Sequence, residues 1–179
     1  MIFSKPIVVL DLETNLITSR KPFPEPLECG AIKLDTLLDP IDRFHTFIKQ
    51  PNVDPLLNEV TPISLDEINS GICEFDFLKK ISKFCAGCYL CTFNLVFDLG
   101  VLKTAAARSN FELYIGRSVL DLKSISHFIA DVWGMKIQKS SLGGFYERFL
   151  EEKLEQTHKS MDDVEAAIKI LKYLAEKNG

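Results

Sequence analysis

With 179 residues, 46% of them hydrophobic and 26% charged, the chain fits one domain (residues 1–179) long enough to bury a substantial core. Its formal net charge of −4 argues against a protein that coats nucleic acid by bulk phosphate neutralisation. It leaves room for one that grips only a chain end, through cations held by acidic side chains.

Ile7-Val8-Val9-Leu10 is a short apolar run ending in Asp11-Leu12-Glu13, the pattern of a buried central strand. Residues Thr18 to Pro26, with prolines at 22, 24 and 26, form a breaker-rich loop. Second and third strands are expected at Leu27–Leu34 and Arg43–Ile48, paired as a hairpin about a turn at Asp39-Pro40. Pro51–Ser70 reads as loop with short helical turns. Phe77, Leu78, Ile81 and Phe84 recur at helical spacing within Phe75–Phe84. Tyr89–Phe93 predicts a strand, followed by a helix from about Asp98 to Arg108. Val119–Leu122 predicts a short fifth strand, with helices after it near 123–133, 142–150 and 161–176. No apolar run approaches the roughly 18–20 residues of a membrane span. The N-terminus has no basic region leading into a hydrophobic segment and cleavage site, and five cysteines suit free thiols. The expected address is the cytoplasm. Strands first, then strands alternating with helices, point to an α/β fold: a mixed sheet flanked by helices.

Side chains two apart on a strand share a face, so Asp11 and Glu13 point the same way, with Cα atoms roughly 6.6 Å apart. Two acids closing an apolar strand are costly unless neutralised or solvated, and strand ends are commonly polar, so the pair alone says little. Asp98, in Asn94-Leu95-Val96-Phe97-Asp98, has an ordinary reading as a helix N-cap. Asp163, in Ser160-Met161-Asp162-Asp163, fits a capping box, and His158 just before it reads equally as a solvated loop residue.

Together, however, Asp11-x-Glu13, Asn94-x-x-Phe97-Asp98 and His158-x-x-x-x-Asp163 resemble the three motifs of the DEDDh 3′→5′ exonucleases, a group that includes polymerase proofreading subunits, RNase T, oligoribonuclease and ERI-type enzymes. The resemblance continues through Leu27-Glu28-Cys29-Gly30-Ala31-Ile32, Phe44–Pro51, Val60-Thr61-Pro62-Ile63 and Ser141–Asp163, so it spans nearly the whole chain. It implies an RNase H-like domain with a five-stranded mixed sheet, its first three strands antiparallel and the next parallel. It also implies a metal-dependent exonuclease acting on single-stranded DNA or RNA 3′ ends, with a polymerase as a possible partner and no membrane. In that picture Asp11, Glu13, Asp98 and Asp163 hold two Mg²⁺ or Mn²⁺ ions, hard cations suited to carboxylate oxygen. His158 is the general base for the attacking water, imidazole being able to accept a proton near neutrality. Thr14 and Leu16 meet the terminal nucleotide, and Asn94 orders the Asp98 turn. Two departures stand out: Asn15-Leu16 where many members carry Thr-Gly, and Pro62 where glycine is usual.

Two rival readings remain. One is an RNase H-like fold kept as a catalytically idle binding module. The other starts from Cys85-x-x-Cys88-x-x-Cys91, with Cys73 upstream, whose spacing invites a zinc or iron–sulfur site. Buried cysteines more simply pack as small hydrophobes. His45 and His127 are expected to pack or face solvent, and Asp121 lies outside the catalytic set.

Overall fold

The computed structural model describes residues 3–15, 23–54, 61–115, 118–155 and 157–177. Leu16, residues 18–22 of the expected proline-rich loop, and residues 55–60, including Val60, lie outside this set. The strands are β1 (Ile7–Thr14), β2 (Pro26–Leu34), β3 (Pro40–Phe47), β4 (Tyr89–Thr92) and β5 (Val119–Asp121). The helices are α1 (Leu65–Ser70), α2 (Glu74–Cys85), α3 (Leu95–Arg108), α4 (Leu122–Val132), α5 (Leu142–Leu150) and α6 (Ser160–Lys177). The strands form a five-stranded mixed sheet in the order β3-β2-β1-β4-β5. β1 pairs antiparallel with β2, and β2 with β3, whereas β4 runs parallel to β1 and β5 parallel to β4. This is the α/β, RNase H-like architecture that the resemblance implied.

β1 and β2 are apolar on both faces because helices cover both. Ile7 and Val9 of β1, with Ile32 and Leu34 of β2, pack against α4, α5 and α6 through Leu122, Phe145, Phe149, Val164 and Leu171. The alternate residues Val8, Leu10 and Leu12, with Cys29 and Ala31, pack against α2 and α3 through Phe77, Ile81, Val101 and Leu102. By the two-residue period of a strand, Asp11 and Glu13 continue the Ile7–Val9 face, towards α6. Glu28 and Gly30 of β2 lie on that same face, and in register Gly30 pairs with Asp11 and Glu28 with Glu13.

Several boundaries moved. The hairpin turn is Asp35 to Asp39 rather than Asp39-Pro40: the Asp35 carboxylate accepts the amides of Leu37 and Asp39, at 2.8 and 2.9 Å, and Leu38 takes φ 71°. β3 therefore starts at Pro40 and ends at Phe47, with Ile48 forming an isolated parallel bridge to Ile72. Leu122 leaves β5 to open α4, because Asp121 caps that helix by accepting the Ser124 amide at 2.9 Å. α3 begins at Leu95, so the N-cap position belongs to Asn94, not Asp98.

The close approach of α6 to β2 rests on Gly30. A Cβ there would lie 2.8 Å from the Met161 nitrogen and from the Ser160 carbonyl carbon, both backbone atoms that cannot swing aside. Gly30→Ala is therefore expected to destabilise the protein by about 1–3 kcal/mol, the usual cost of overpacking, measured by urea unfolding. An unchanged midpoint would show that α6 yields freely.

Candidate active site

The end of β1 and the start of α6 bring Asp11, Glu13 and Asp163 together. One carboxylate oxygen from each lies within 4.8 Å of the others, and all three residues are half-buried. Oxygen-only donors at this separation suit a hard divalent cation. Among the described residues no other cluster of three or more acidic, histidine or cysteine side chains is placed to hold a metal ion.

Asp98 stands behind this trio. It lies in the first turn of α3, only 3% exposed, and its backbone amide donates to the Asn94 carbonyl at 3.2 Å. The Asn94 side chain makes no capping hydrogen bond, so its ordering of the turn runs through the main chain. Burial pushes the Asp98 carboxyl up to about 7, against the pull of Thr92 and of backbone donors at Asp98, Asn94 and Leu12. Asp98 is not within the 4.8 Å group, but its charge is the largest single repulsion felt by Asp11.

Burial governs the whole cluster, and the crowding of charges adds to it. Burial first, then Asp98, Asp163, Glu13 and Glu28, raise the Asp11 carboxyl well above its ordinary range. Burial and the charges of Asp163, Glu28 and Asp98 lift Glu13 to about 7. Asp163 is raised mainly by burial, with His158 pulling the other way.

The capping box does not form. Ser160 is already helical, its hydroxyl is buried without a partner, and the Asp163 carboxylate turns to Asp11 and Glu13 instead of back to the helix end. Asp163 is the fourth residue of α6. The Ser160 amide is instead directed at Glu28 Oε2, at 3.4 Å. His158 is exposed in a left-handed turn, φ 52°, and its carbonyl accepts from the Thr61 hydroxyl at 3.5 Å. Thr14 is half-buried at the end of β1.

Two residues of the site drew no role from sequence. Asn15 is 8% exposed and ties loops together: Nδ2 donates to the Asn52 carbonyl at 2.8 Å, and Oδ1 accepts the Asp54 amide at 3.0 Å. Glu28 is a charged residue inside the otherwise uncharged stretch Leu27–Ile32 of β2, and that mismatch was the available signal. Its Oε1 lies 2.6 Å from His45 Nε2. His127 packs on Phe145 and meets Ser140.

The cysteines do not converge as metal ligands. Cys85 ends α2 and Cys91 lies within β4, and burial pushes both thiols up to about 12, where they stay protonated.

A family model described as "Exonuclease" (RNase_T) matches residues 8–171. A DNA polymerase III of PolC type from Caldanaerobacter subterraneus subsp. tengcongensis is 26% identical over 172 residues, 95% of this chain but 12% of that protein. The chain thus spans only about an eighth of that relative's length. In structure, E. coli exonuclease I in complex with a dT13 oligonucleotide superposes with TM-score 0.76 at 18% identity, covering 96% of this chain and 41% of the other. The nuclease domain of 3′hExo, a DEDDh family member bound to rAMP, gives TM-score 0.78 at 15% identity, covering 97% and 92%.

Carboxyls that keep their protons to higher pH in the folded state than in the unfolded chain cost stability as pH rises from their ordinary values, 3.8–4.5, through about 7. Without divalent ions, Tm is therefore expected to fall between about pH 5 and pH 8, and Mn²⁺ at the upper end should restore it. A Tm flat across this range and indifferent to Mn²⁺ would contradict this electrostatic picture. With a match from residue 8 to residue 171 and this arrangement of carboxylates, the chain belongs to the exonuclease family, with DEDDh nucleases among its structural neighbours.

Proposed function

We propose that the chain is a metal-dependent 3′→5′ exonuclease that releases nucleoside 5′-monophosphates from single-stranded 3′ ends. The observation that carries this reading is the meeting of Asp11, Glu13 and Asp163 within 4.8 Å, with Asp98 buried behind them. Four carboxylates raised by burial, with neighbouring charges adding to the rise at Asp11, Glu13 and Asp163, are a poor arrangement on their own and a good one around divalent cations.

Asp11, Glu13, Asp98 and Asp163 would hold two ions, Mg²⁺ or Mn²⁺, which would supply Lewis acidity and lower the pKa of water. His158 accepts the proton of the attacking water on a ring nitrogen, and its exposed turn leaves the ring free to reach substrate. As His158 takes its proton the water oxygen bonds to phosphorus, the bond from phosphorus to the 3′ oxygen breaks, and that oxygen takes up a proton from solvent while His158 returns its own to solvent. Thr14, Leu16 and Asn94 contact or order the terminal nucleotide's surroundings.

The PolC-type similarity favours DNA as the natural substrate and a polymerase as a partner, while the rAMP-bound neighbour keeps RNA as a comparison. All five cysteines are free, which fits the reducing cytoplasm.

A 5′-labelled single-stranded DNA or RNA should be shortened stepwise from its 3′ end with Mg²⁺ or Mn²⁺, and not with EDTA. Asp11→Asn and His158→Ala are each expected to slow cleavage on the order of 10²–10⁴-fold, the range of a lost general base or comparable group. Metal-independent cleavage, or full activity in Asp11→Asn, would refute the assignment. Binding without any cleavage would favour the idle-module reading.

A further inference from the structure

We infer that Glu28 is a positioning residue, whose buried carboxylate docks the N-terminus of α6 onto β2 and so sets the placement of His158 and Asp163 over β1. This rests on the exonuclease reading above and assigns Glu28 no contact with the reacting atoms.

Glu28 is 3% exposed, a burial that a carboxylate tolerates only when its oxygens are occupied. Each oxygen has its own partner. Oε1 meets His45 Nε2 of β3 at 2.6 Å, and Oε2 faces the backbone N–H of Ser160 at 3.4 Å, across 132 positions of sequence. The first N–H groups of a helix lack partners within the helix, and the N-terminus of an 18-residue helix favours negative charge. Ser160 is wholly buried and its own hydroxyl is unpartnered. Among the described residues, Glu28 is the acceptor that faces its amide.

Geometry gives this contact its consequence. Ser160 stands between His158 and Asp163, two residues from one and three from the other. Beside Glu28 on the same strand face, Gly30 lets the Ser160–Met161 backbone come down onto the sheet. In register, Glu28 and Gly30 pair with Glu13 and Asp11. The two β2 residues that receive α6 are thus the direct neighbours of the two β1 carboxylates that Asp163 must reach. A second fastening, from the Thr61 hydroxyl to the His158 carbonyl, holds the preceding turn.

The charge of Glu28 does not help this cluster electrostatically, since it adds to the repulsion at Asp11, Glu13 and Asp163. What the site gains is an acceptor in the right place. A glutamine offers one too, and without the charge. A pocket of ≈ 270 Å³ borders Glu28, His45, Phe47 and Met161. Loss of the carboxylate would therefore admit water beneath the helix end rather than collapse the packing. His45 orients the carboxylate from the outer strand.

The test compares Glu28→Ala, Glu28→Gln and His45→Ala with the parent protein by amide hydrogen exchange and by steady-state cleavage of 5′-labelled single-stranded DNA with Mn²⁺. In Glu28→Ala, exchange across residues 157–163 is expected to quicken while the rest of the sheet keeps its protection. Its kcat should fall about 10–100-fold with KM within about threefold, the usual scale for a supporting group behind an active site. Glu28→Gln should recover most of the lost kcat and protection, and His45→Ala should fall between. Unchanged exchange and kcat in Glu28→Ala would overturn the inference, as would Glu28→Gln being as impaired as Glu28→Ala, or an effect on KM alone. If Glu28→Ala does not fold, the other two variants decide: protection near the parent's in Glu28→Gln with loosening confined to 157–163 in His45→Ala supports the docking role, and any other pattern overturns it. A parent protein with no nuclease activity defeats the exonuclease reading, while the exchange measurement still decides whether Glu28 holds the helix end.

Discussion

Everything in this molecule that bears on chemistry depends on holding like charges together. Asp11, Glu13 and Asp163 have oxygens within 4.8 Å of one another, with Asp98 close behind. Burial and mutual repulsion both oppose ionisation there, so the fold spends stability to keep the arrangement. Such strain survives only where the surrounding structure is rigid enough to impose it.

The rigidity comes from the position of β1. It sits at the centre of the sheet, between β2 and β4, and its alternate residues enter two separate apolar layers. Ile7 and Val9 lock one face against α6, while Val8, Leu10 and Leu12 lock the other against α2 and α3. The strand cannot rotate or slip by one residue without exchanging those faces and moving Asp11 and Glu13 away from α6. The parallel step from β1 to β4 and the start of α3 then bring Asp98 to the same end of the sheet.

Polar fasteners finish what the apolar layers begin. Asn15 joins the end of β1 to the segment at Asn52 and Asp54, where the resemblance suggested only a departure from the usual pattern. Glu28 and Gly30 receive the N-terminus of α6, one by hydrogen bonding and one by absence of a side chain. These contacts join segments far apart in the chain, so no local pattern announces them. The cysteines illustrate the converse: Cys85-x-x-Cys88-x-x-Cys91 looks like a ligand motif in sequence, but Cys85 and Cys88 are buried in one apolar layer and Cys91 in the other.

The sequence alone determined the succession of strands and helices, because periodicity, prolines and caps are local signals. It also singled out Asp11, Glu13, Asp98, His158 and Asp163 as candidates, since motif order is a property of the chain. The extent of α3 was misjudged because Asp98 is as good a cap as Asn94 in one dimension; only the packing of Leu95 onwards decides between them. The Ser160–Asp163 capping box was misjudged for a related reason, as Asp163 is drawn to β1 and the Ser160 amide to β2. Tertiary structure decided which carboxylates meet, how far burial shifts them, and what holds α6 in place. Those are through-space energies between groups that sequence separates by up to 152 positions, from Asp11 to Asp163, and they exist only once the sheet has closed the distance.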